Sequence, residues 1–240
     1  MSVIKKILPP FIRRALSKKV QYIKMRYEMY KLNKLIKTQF PDCKLIFDIG
    51  ANVGDFTEIY SKSCPKVISV EPQKELYFHL KNRFKNNKKI IIENVGISNK
   101  TGHLKMYIDK KKKAMGSFNK DWNKSFGNEI NDSYFVKVTT LDKLIEKYGL
   151  PSYIKIDVEG YEFVVLQGLS HKTKYLSFEF HNKFLPDTIN CIKLLDLLGY
   201  TKFNLSVSQN LKFKDWISLK KLIFVLKSED TNFCGDIHCK

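Results

Sequence analysis

The sequence predicts an α/β fold with a mostly parallel sheet and helices on both faces, preceded by a basic helical N-terminal arm. Three observations carry this prediction. From residue 44 onwards short apolar runs alternate with segments of helical periodicity, two glycines four positions apart follow the first apolar run, and residues 1–37 carry much of the positive charge. Apolar runs that alternate with helices are typical of a parallel sheet buried on both faces.

The first forty residues predict an amphipathic helical arm in two pieces. Apolar residues recur there at spacings of three and four, and Pro9 and Pro10 interrupt them. Residues 1–37 contain eleven Lys and Arg against one acid, Glu28, so they hold +10 of the formal net charge of +19. Such an arm is expected either to remain a solvated helix or to contact an anionic membrane, an acidic glycan or nucleic acid.

Regular alternation begins after the arm. The predicted elements are a strand at 44–49, a helix at 53–63, a strand at 66–71, a helix at 72–86, a strand at 89–95 and an additional strand at 102–108. Residues 109–134 are polar and irregular. They favour either a substrate lid or a solvated insertion, because long loops inside a compact domain are commonly functional or disordered.

The alternation resumes at residue 136. The predicted elements are a strand at 136–139, a helix at 141–148, a strand at 153–157, a helix at 161–169, a strand at 175–180 and a helix at 187–198. Two last strands are predicted at 201–207 and 219–226 as an antiparallel, hairpin-like pair. The predicted organisation is therefore an arm at 1–40, one α/β domain at 41–227 and a frayed C-terminal tail at 228–240.

Length and composition limit the class of protein. A chain of 240 residues with 43% apolar content supports one domain with a buried core. Its five cysteines include no Cys-x-x-Cys pair, which is typical of free thiols, and Cys234, His238 and Cys239 match no common zinc spacing. The lack of a secretory signal and of a long apolar run predicts a cytoplasmic protein. Peripheral attachment to the inner face of the membrane through the arm is the alternative.

A first candidate site follows the first predicted strand. The junction of that strand with the next helix contains Asp48, Gly50, Asn52 and Gly54. Glycine at such a junction allows a tight turn and the close approach of a ligand. Glu71 ends the next strand, twenty-one residues after Gly50, where a carboxylate can accept hydrogen bonds from both hydroxyls of a ribose. This spacing predicts a nucleotide site.

The same residues indicate which kind of nucleotide binds. Dinucleotide enzymes use the pattern Gly-x-Gly-x-x-Gly, in which a helix N-terminus faces a pyrophosphate, and that pattern is absent here. Asp48 instead places a carboxylate just before the loop, where it would repel a pyrophosphate and attract a cation. A sulfonium ligand with an ammonium group, as in S-adenosylmethionine, fits these residues better.

A second candidate site follows the strand predicted at 153–157. Asp157 and Glu159 stand at the carboxyl edge of the sheet, where ligands bind in open α/β folds. An alcohol becomes a better nucleophile when a carboxylate or imidazole accepts its proton, so Asp157, Glu159 and His181 are the candidate catalytic residues. A second interpretation is a magnesium site with oxygen ligands from Asp157, Glu179 and Asn182.

Five segments of the chain, in order, resemble the FkbM family of S-adenosylmethionine-dependent methyltransferases. They are residues 47–57 (FDIGANVGDFT), 67–72 (VISVEP), 94–102 (NVGISNKTG), 138–142 (VTTLD) and 154–168 (IKIDVEGYEFVVLQG). The resemblance covers residues 44–182. It implies a class I Rossmann-like methyltransferase fold, S-adenosylmethionine as cofactor, and O-methylation of a natural product, a sugar or a surface polysaccharide unit.

The resemblance also implies roles for single residues. The junction residues named above would lie on the methionine side of the donor, and Glu71 would hold its ribose. Ser98 and Asn99 would form the wall for adenine, with Asn99 standing where the family often has Asp. Asp157 and Glu159 match the family's motif after the fourth strand.

Other classes of function remain as alternatives. The basic arm favours a nucleic-acid methyltransferase or a basic binding module. Two features argue against these two alternatives. The acids Asp157 and Glu159 would repel phosphates, and the strand predicted at 153–157 is not followed by an Asn/Asp-Pro-Pro-aromatic run. A Rossmann dehydrogenase would require the missing third glycine. The expected function is methyl transfer to an oxygen of a small molecule or glycan.

Overall fold

The computed structural model describes residues 37–38, 42–109, 116–127, 129–207 and 215–240. Its strands are β1 (Ile46–Ile49), β2 (Val67–Val70), β3 (Ile90–Glu93), β4 (Gly96–Ile97), β5 (Gly102–Ile108), β6 (Gly116–Ser117), β7 (Asp132–Thr139), β8 (Tyr153–Ile156), β9 (Tyr175–His181), β10 (Phe203–Val207) and β11 (Cys234–Cys239). Its helices are α1 (Asp55–Ser63), α2 (Lys74–Arg83), α3 (Lys120–Ser125), α4 (Leu141–Tyr148), α5 (Glu162–Leu166), α6 (Leu185–Leu197) and α7 (Leu219–Ser228). The arm predicted at 1–40, with its expected contacts, lies outside the described residues except for 37–38.

Seven strands form the main sheet in the order β3, β2, β1, β8, β9, β11, β10. The first five of these are mutually parallel, and β11 runs antiparallel to both β9 and β10. The strand order reverses between β1 and β8. In open α/β sheets a ligand site forms at such a reversal, outside the carboxyl ends of the strands.

Both faces of the main sheet are covered, as predicted for an α/β fold. Along β1, Ile46 packs in a cluster with Ile59 and Tyr60 of α1. Its neighbour Phe47 packs in a larger cluster that includes Leu195 of α6. Successive strand residues point to opposite faces, so the two clusters lie on opposite sides of the sheet.

A second sheet of four strands has the order β4, β7, β5, β6. It contains the additional strand predicted at 102–108 as β5, which pairs antiparallel with β7. Residues 109–134 are not a structureless loop in their described part, because β6, α3 and the start of β7 fall within them. Residues 110–115 and 128 lie outside the described part.

The C-terminal region corrects two predictions. The strand predicted at 219–226 is instead the helix α7, which begins after Ser218, whose Oγ accepts a hydrogen bond from the backbone N–H of Lys221 at 3.4 Å. The tail predicted at 228–240 contains β11, which lies between β9 and β10 and supplies the fully buried Ile237. The tail prediction was wrong because the pairing of β11 is set by strands distant in sequence.

No helix in the described ranges is long and apolar enough to cross a membrane.

Candidate active site

The loop after β1 is shaped by residues with positive φ. Gly50 has a φ of 82°, and a Cβ there would lie 1.8 Å from the carbonyl oxygen of Asp157. Asn52 follows with a φ of 51°, and Gly54, with a φ of 89°, precedes α1. The left-handed region favours glycine and tolerates asparagine, and the close approach at Gly50 excludes any side chain. The loop thereby brings the ends of β1 and β8 together.

Glu71 connects the loops after β1 and β2. One carboxylate oxygen accepts a hydrogen bond from the backbone N–H of Asn52 at 2.9 Å, and the other accepts one from Gln73 at 2.8 Å. Burial raises the pKa of Glu71 to about 7, against the lowering effect of these two donors. A carboxylate oxygen has two lone pairs, so both oxygens can accept a further hydrogen bond from a ligand.

Asp157 follows β8 and is held by a buried lysine. The Lys155 ammonium donates to Asp157 Oδ2 at 2.6 Å and lies 4.5 Å from the centre of the Phe56 ring. Burial disfavours the charged lysine, but the charges of Asp157, Asp236 and Asp48 outweigh it and raise the pKa of Lys155 above its ordinary value. Lys155 therefore stays positive and fixes the Asp157 carboxylate at the end of the strand.

Glu159 is fixed by the segment that includes β6 and α3. Its carboxylate accepts a hydrogen bond from Trp122 Nε1 at 3.0 Å, and its carbonyl oxygen accepts one from Ser117 Oγ at 2.6 Å. Burial and the Asp157 charge raise the pKa of Glu159, while the Trp122 hydrogen bond lowers it. Glu159 has a φ of 56°, so its backbone is held in the left-handed region. The result is a carboxylate of raised basicity in a fixed position.

These residues surround a cavity of about 280 Å³, called here the donor cavity. Its lining residues come from the loops after β1, β2 and β8, from residues 95–97 and 106, and from residues 116–118. Gly50, Asn52, Glu71, Asp157 and Glu159 are among them. The structure thus brings five of the predicted site residues to one cavity at the predicted edge of the sheet.

Asp48 lies away from the donor cavity, contrary to the prediction that its carboxylate faces the ligand. It is 1% exposed, and Asp48 Oδ2 accepts a hydrogen bond from Thr57 Oγ1 at 2.5 Å. Burial raises the pKa of Asp48 to about 6, partly offset by Lys155 and Thr57. Asp48 is inside β1, and its side chain points to α1 instead of the strand end. Gly54 likewise does not line the cavity, because it packs against Leu80 and Phe84 of the α2 region.

Ser98 and Asn99 also lie outside the lining of the donor cavity. Ser98 is 1% exposed and its backbone N–H bonds to the Thr139 carbonyl at 2.8 Å, while the Asn99 amide donates to Gln167 at 3.3 Å. The wall at this end is formed by the preceding residues Val95 to Ile97. Ser98 and Asn99, which the sequence predicts as the adenine wall, therefore do not line this cavity.

His181 lines a second cavity of about 300 Å³, called here the aromatic cavity, which shares Phe118 with the donor cavity. Its lining residues are Phe118, Asn119, Lys120, Trp122, Gly160, Tyr161, Glu162, Phe163, Val164, Phe178, Glu179, Phe180, His181, Phe184, Asp187, Thr188 and Cys191. Burial lowers the pKa of His181. The three predicted catalytic residues are thus divided between two neighbouring cavities.

Sequence reasoning missed several residues that shape the site. Met106 and Phe118 line the donor cavity from the segment predicted as an extra strand and an irregular stretch. Glu162 accepts hydrogen bonds from the backbone N–H groups of Val158 and Gly160 at 3.0 and 3.3 Å, and burial raises its pKa to about 8. An acid at the start of the helix after Gly160 was the available indication for Glu162, whereas nothing local indicates Met106.

The magnesium interpretation finds little geometric support. Asn182 Nδ2 donates to the Leu226 carbonyl at 2.7 Å, so this amide holds the end of α7, and Asp157 is bonded to Lys155. Within the described ranges, no three His, Cys, Asp or Glu residues are arranged to hold a metal ion. His238 Nε2 forms a hydrogen bond with Ser206 Oγ at 3.0 Å between β11 and β10.

The fold and the site together define a class. A seven-stranded sheet with this strand order, a glycine loop after β1 and an acid after β2 define a Rossmann-like class I methyltransferase. A sequence profile of the Methyltransferase FkbM domain matches residues 48–201. The chain belongs to the FkbM methyltransferase family, whose members use S-adenosylmethionine as methyl donor.

The similar solved structures are distant in sequence. The FkbM methyltransferase of Methylobacillus flagellatus KT is 17% identical with a TM-score of 0.49, over 83% of this chain and 44% of that one. The precorrin-6y C5,15-methyltransferase of Geobacter metallireducens is 8% identical with a TM-score of 0.48, over 88% and 86% of the two chains. The N-methyltransferase NodS of Bradyrhizobium japonicum is 10% identical with a TM-score of 0.46, over 90% and 95%.

The chain therefore spans less than half the length of the first of these proteins. No curated protein sequence matches it.

Proposed function

We propose that this protein transfers the methyl group of S-adenosylmethionine to a hydroxyl oxygen of a small molecule or glycan. The observation that carries the proposal is the position of Glu71 and of the pair Asp157 and Glu159 around one cavity of about 280 Å³. Acids at both ends suit a ligand with a ribose at one end and a cationic group at the other.

The residues present fit this donor. Each Glu71 oxygen retains a lone pair for a ribose hydroxyl, and the apolar side chains of Val95, Ile97 and Met106 offer a surface for adenine. The missing side chain at Gly50 leaves room for close backbone contact. No Lys or Arg lines the donor cavity among the described residues, which disfavours a pyrophosphate ligand.

The bound donor would supply an electrophilic methyl group on a positively charged sulfur. Asp157, held by Lys155, would attract the ammonium group of the methionine part. Glu159 would accept the proton of the attacking hydroxyl, because burial and the Asp157 charge make it more basic than an ordinary glutamate. Glu71 and the glycine loop would hold the nucleoside so that the reacting atoms are aligned, which lowers much of the barrier.

Donor binding is tested by titration calorimetry with S-adenosylhomocysteine. We expect the wild-type chain to bind it and Glu71→Gln to bind it about ten- to a hundredfold more weakly, since two charge-assisted hydrogen bonds are lost. Glu93→Gln is the matched control, because Glu93 ends the neighbouring strand but holds Lys147 and Tyr148 outside the donor cavity. Wild-type protein that is folded but does not bind this ligand, or that binds NADH equally well, would refute the proposal.

Oxygen as the acceptor atom is tested with a donor that carries a deuterated methyl group. The protein is incubated with a panel of hydroxylated compounds, and the labelled methyl group is located by NMR. We expect an O-methyl product and a loss of about 10² to 10⁴ in kcat for Glu159→Gln, with S-adenosylhomocysteine affinity unchanged. A label on nitrogen or carbon would overturn the oxygen assignment while leaving methyl transfer intact.

A further inference from the structure

The aromatic cavity lies beside the donor cavity where β9 ends. With about 300 Å³ it is at the lower end of the roughly 300–1,000 Å³ of small-molecule sites. Glu159 lines the donor cavity and the next residue, Gly160, lines the aromatic cavity. A ligand in the aromatic cavity would therefore lie next to the candidate base.

Aromatic rings form much of its wall. Trp122 packs against Phe184 and His181, each with a distance of 4.9 Å between ring centres, and Gly160 lies directly under the Trp122 ring. Phe118 and Tyr161 pack against each other at 5.3 Å on the side towards the donor cavity. Rings of this kind offer apolar surface to the C–H faces of a saturated ring and attract cations to their faces.

The polar groups of the cavity are mainly acidic. Glu162 and Glu179 lie in its wall and Asp187 at its rim, whereas Lys120 is the one Lys or Arg among the described lining residues and is exposed. His181 is weakly basic because burial lowers its pKa. An anionic ligand is disfavoured by this arrangement, and a cationic one is favoured.

One carboxylate oxygen of Glu179 has an unused capacity to accept a hydrogen bond. Glu179 Oε2 is buried and has no hydrogen-bond partner within the described residues, and Oε1 lies 3.7 Å from His181 Nε2. Burial and the charges of Asp157, Glu159 and Glu162 raise the pKa of Glu179 well above its ordinary value, and a cation bound beside Glu179 would lower that pKa by stabilising the ionised carboxylate. A buried polar atom without a partner is costly, so a ligand N–H at this position would be stabilising.

We infer that the aromatic cavity binds the methyl acceptor as a hydroxylated saturated ring with a protonated amine, the chemistry of an amino sugar, whose ammonium group donates to Glu179. This inference rests on the proposed function and specifies its substrate class.

The ammonium group also determines which atom is methylated. A nitrogen that is protonated and held by Glu179 has no lone pair, so a hydroxyl of the same ring is the nucleophile. Its oxygen forms a bond to the methyl carbon, the carbon–sulfur bond breaks with its electron pair passing to sulfur, and the hydroxyl proton passes to Glu159. The products are the methyl ether and S-adenosylhomocysteine.

Binding is measured by the fluorescence of Trp122 in a Trp216→Phe background, since the chain has two tryptophans. Glucosamine, glucose and N-acetylglucosamine are titrated in the presence of saturating S-adenosylhomocysteine. We expect glucosamine to bind about tenfold more tightly than the two neutral sugars, as one charge-assisted hydrogen bond predicts. Glu179→Gln removes this preference, and Glu146→Gln, an exposed acid on α4, retains it.

The outcomes separate this inference from the proposed function. Equal binding of the three sugars, or no binding of any, by a chain that binds S-adenosylhomocysteine would overturn the inference alone. A chain that does not bind S-adenosylhomocysteine would overturn the proposed function. The comparison of the three sugars needs no Glu179 variant, so it stands even if that variant does not fold.

Discussion

Single residues determine how closely the strand ends of the site approach each other. Gly50 is the clearest case, since its φ of 82° and its contact with the Asp157 carbonyl both exclude a side chain. Glu71 then ties the loop to β2 through hydrogen bonds to two backbone N–H groups. Both residues build the donor cavity and would contact its ligand. Their substitution should therefore affect stability and donor binding together.

Gly50→Ala is predicted to destabilise the fold by more than the backbone strain alone. Gly149→Ala is the matched control, because Gly149 has a φ of 95° but open space where its Cβ would lie. We expect the control to cost about 1–2 kcal/mol and Gly50→Ala to cost at least about 3 kcal/mol in urea unfolding, with loss of S-adenosylhomocysteine binding. Equal costs would show that the contact with Asp157 does not constrain the loop.

Glu71 is predicted to make stability depend on pH. Its folded-state pKa of about 7 lies above the ordinary 4.5, so the folded state binds more protons than the unfolded state between these values. The stability attributable to Glu71 is therefore present at low pH and falls as pH rises through this window. Relative to Glu71→Gln, the wild type should lose about 3 kcal/mol between about pH 4 and pH 8. Urea unfolding of both proteins at several pH values measures the difference, and parallel pH profiles would contradict the prediction.

At the scale of elements, β6 and α3 act as a clamp on the segment after β8. Ser117 bonds to the Glu159 carbonyl, Trp122 to the Glu159 carboxylate, and Asn119 Nδ2 to the Gly160 carbonyl at 3.0 Å. This clamp lies where the donor cavity and the aromatic cavity adjoin, since Phe118 lines both. The described part of the segment predicted as a lid or an insertion is thus a fixed wall, while the lid interpretation for residues 110–115 stays a prediction.

Trp122→Phe is predicted to shift the titration of Glu159. The substitution keeps an aromatic ring over Gly160 but removes the donor that lowers the Glu159 pKa, so that pKa should rise. Loss of a hydrogen bond to a charged group should also cost about 2 kcal/mol of stability. The acidic limb of the pH profile of kcat, which reports the deprotonation of the base Glu159, should move to higher pH, and Trp216→Phe should leave it unchanged. An unshifted profile would exclude this bond as a determinant of Glu159 basicity.

The local sequence pattern was sufficient to predict the parallel strands of the main sheet. It was insufficient to predict the C-terminal elements α7 and β11. β1, β2, β3, β8 and β9 are short apolar runs, and their turns contain the glycines and acids that were recognised as a site. Residues 219–226 contain five consecutive apolar residues, 222–226, and such a short run also fits a buried strand. Two local features favour the helix: the capping residue Ser218 and the helical spacing of the apolar residues 219, 222, 223 and 226.

The direction in which each side chain of the site faces could not be predicted from the local sequence either. Asp48 and Ser98 belong to recognised segments, yet the side that a strand residue faces depends on packing, and both are buried away from the donor cavity. Trp122 joins the site through a hydrogen bond to Glu159, a residue far away in sequence, which no local pattern contains.

At the scale of the whole molecule, the C-terminus completes the main sheet. β11 pairs with β9 over six residues and with β10 over five, and its polar residues, the half-buried Asp236 and the buried His238, lie near Lys155. A strand with polar side chains at these positions lacks the alternation of apolar residues that predicts a strand, so the sequence favours a tail there. The same strand places Asp236 beside the lysine that holds Asp157, which links the C-terminus to the donor cavity.

Ile237→Ala tests whether β11 is an interior strand. Ile237 is fully buried in the main core cluster, so truncation should cost about 2–5 kcal/mol from lost burial and a residual cavity. Leu197→Ala is the control, since Leu197 is 84% exposed on α6 and its truncation should change stability by less than about 0.5 kcal/mol. Urea unfolding followed by circular dichroism measures both. If the two variants unfold alike, the last residues do not pair in the sheet, and the positioning of Asp157 through Asp236 and Lys155 loses its structural basis.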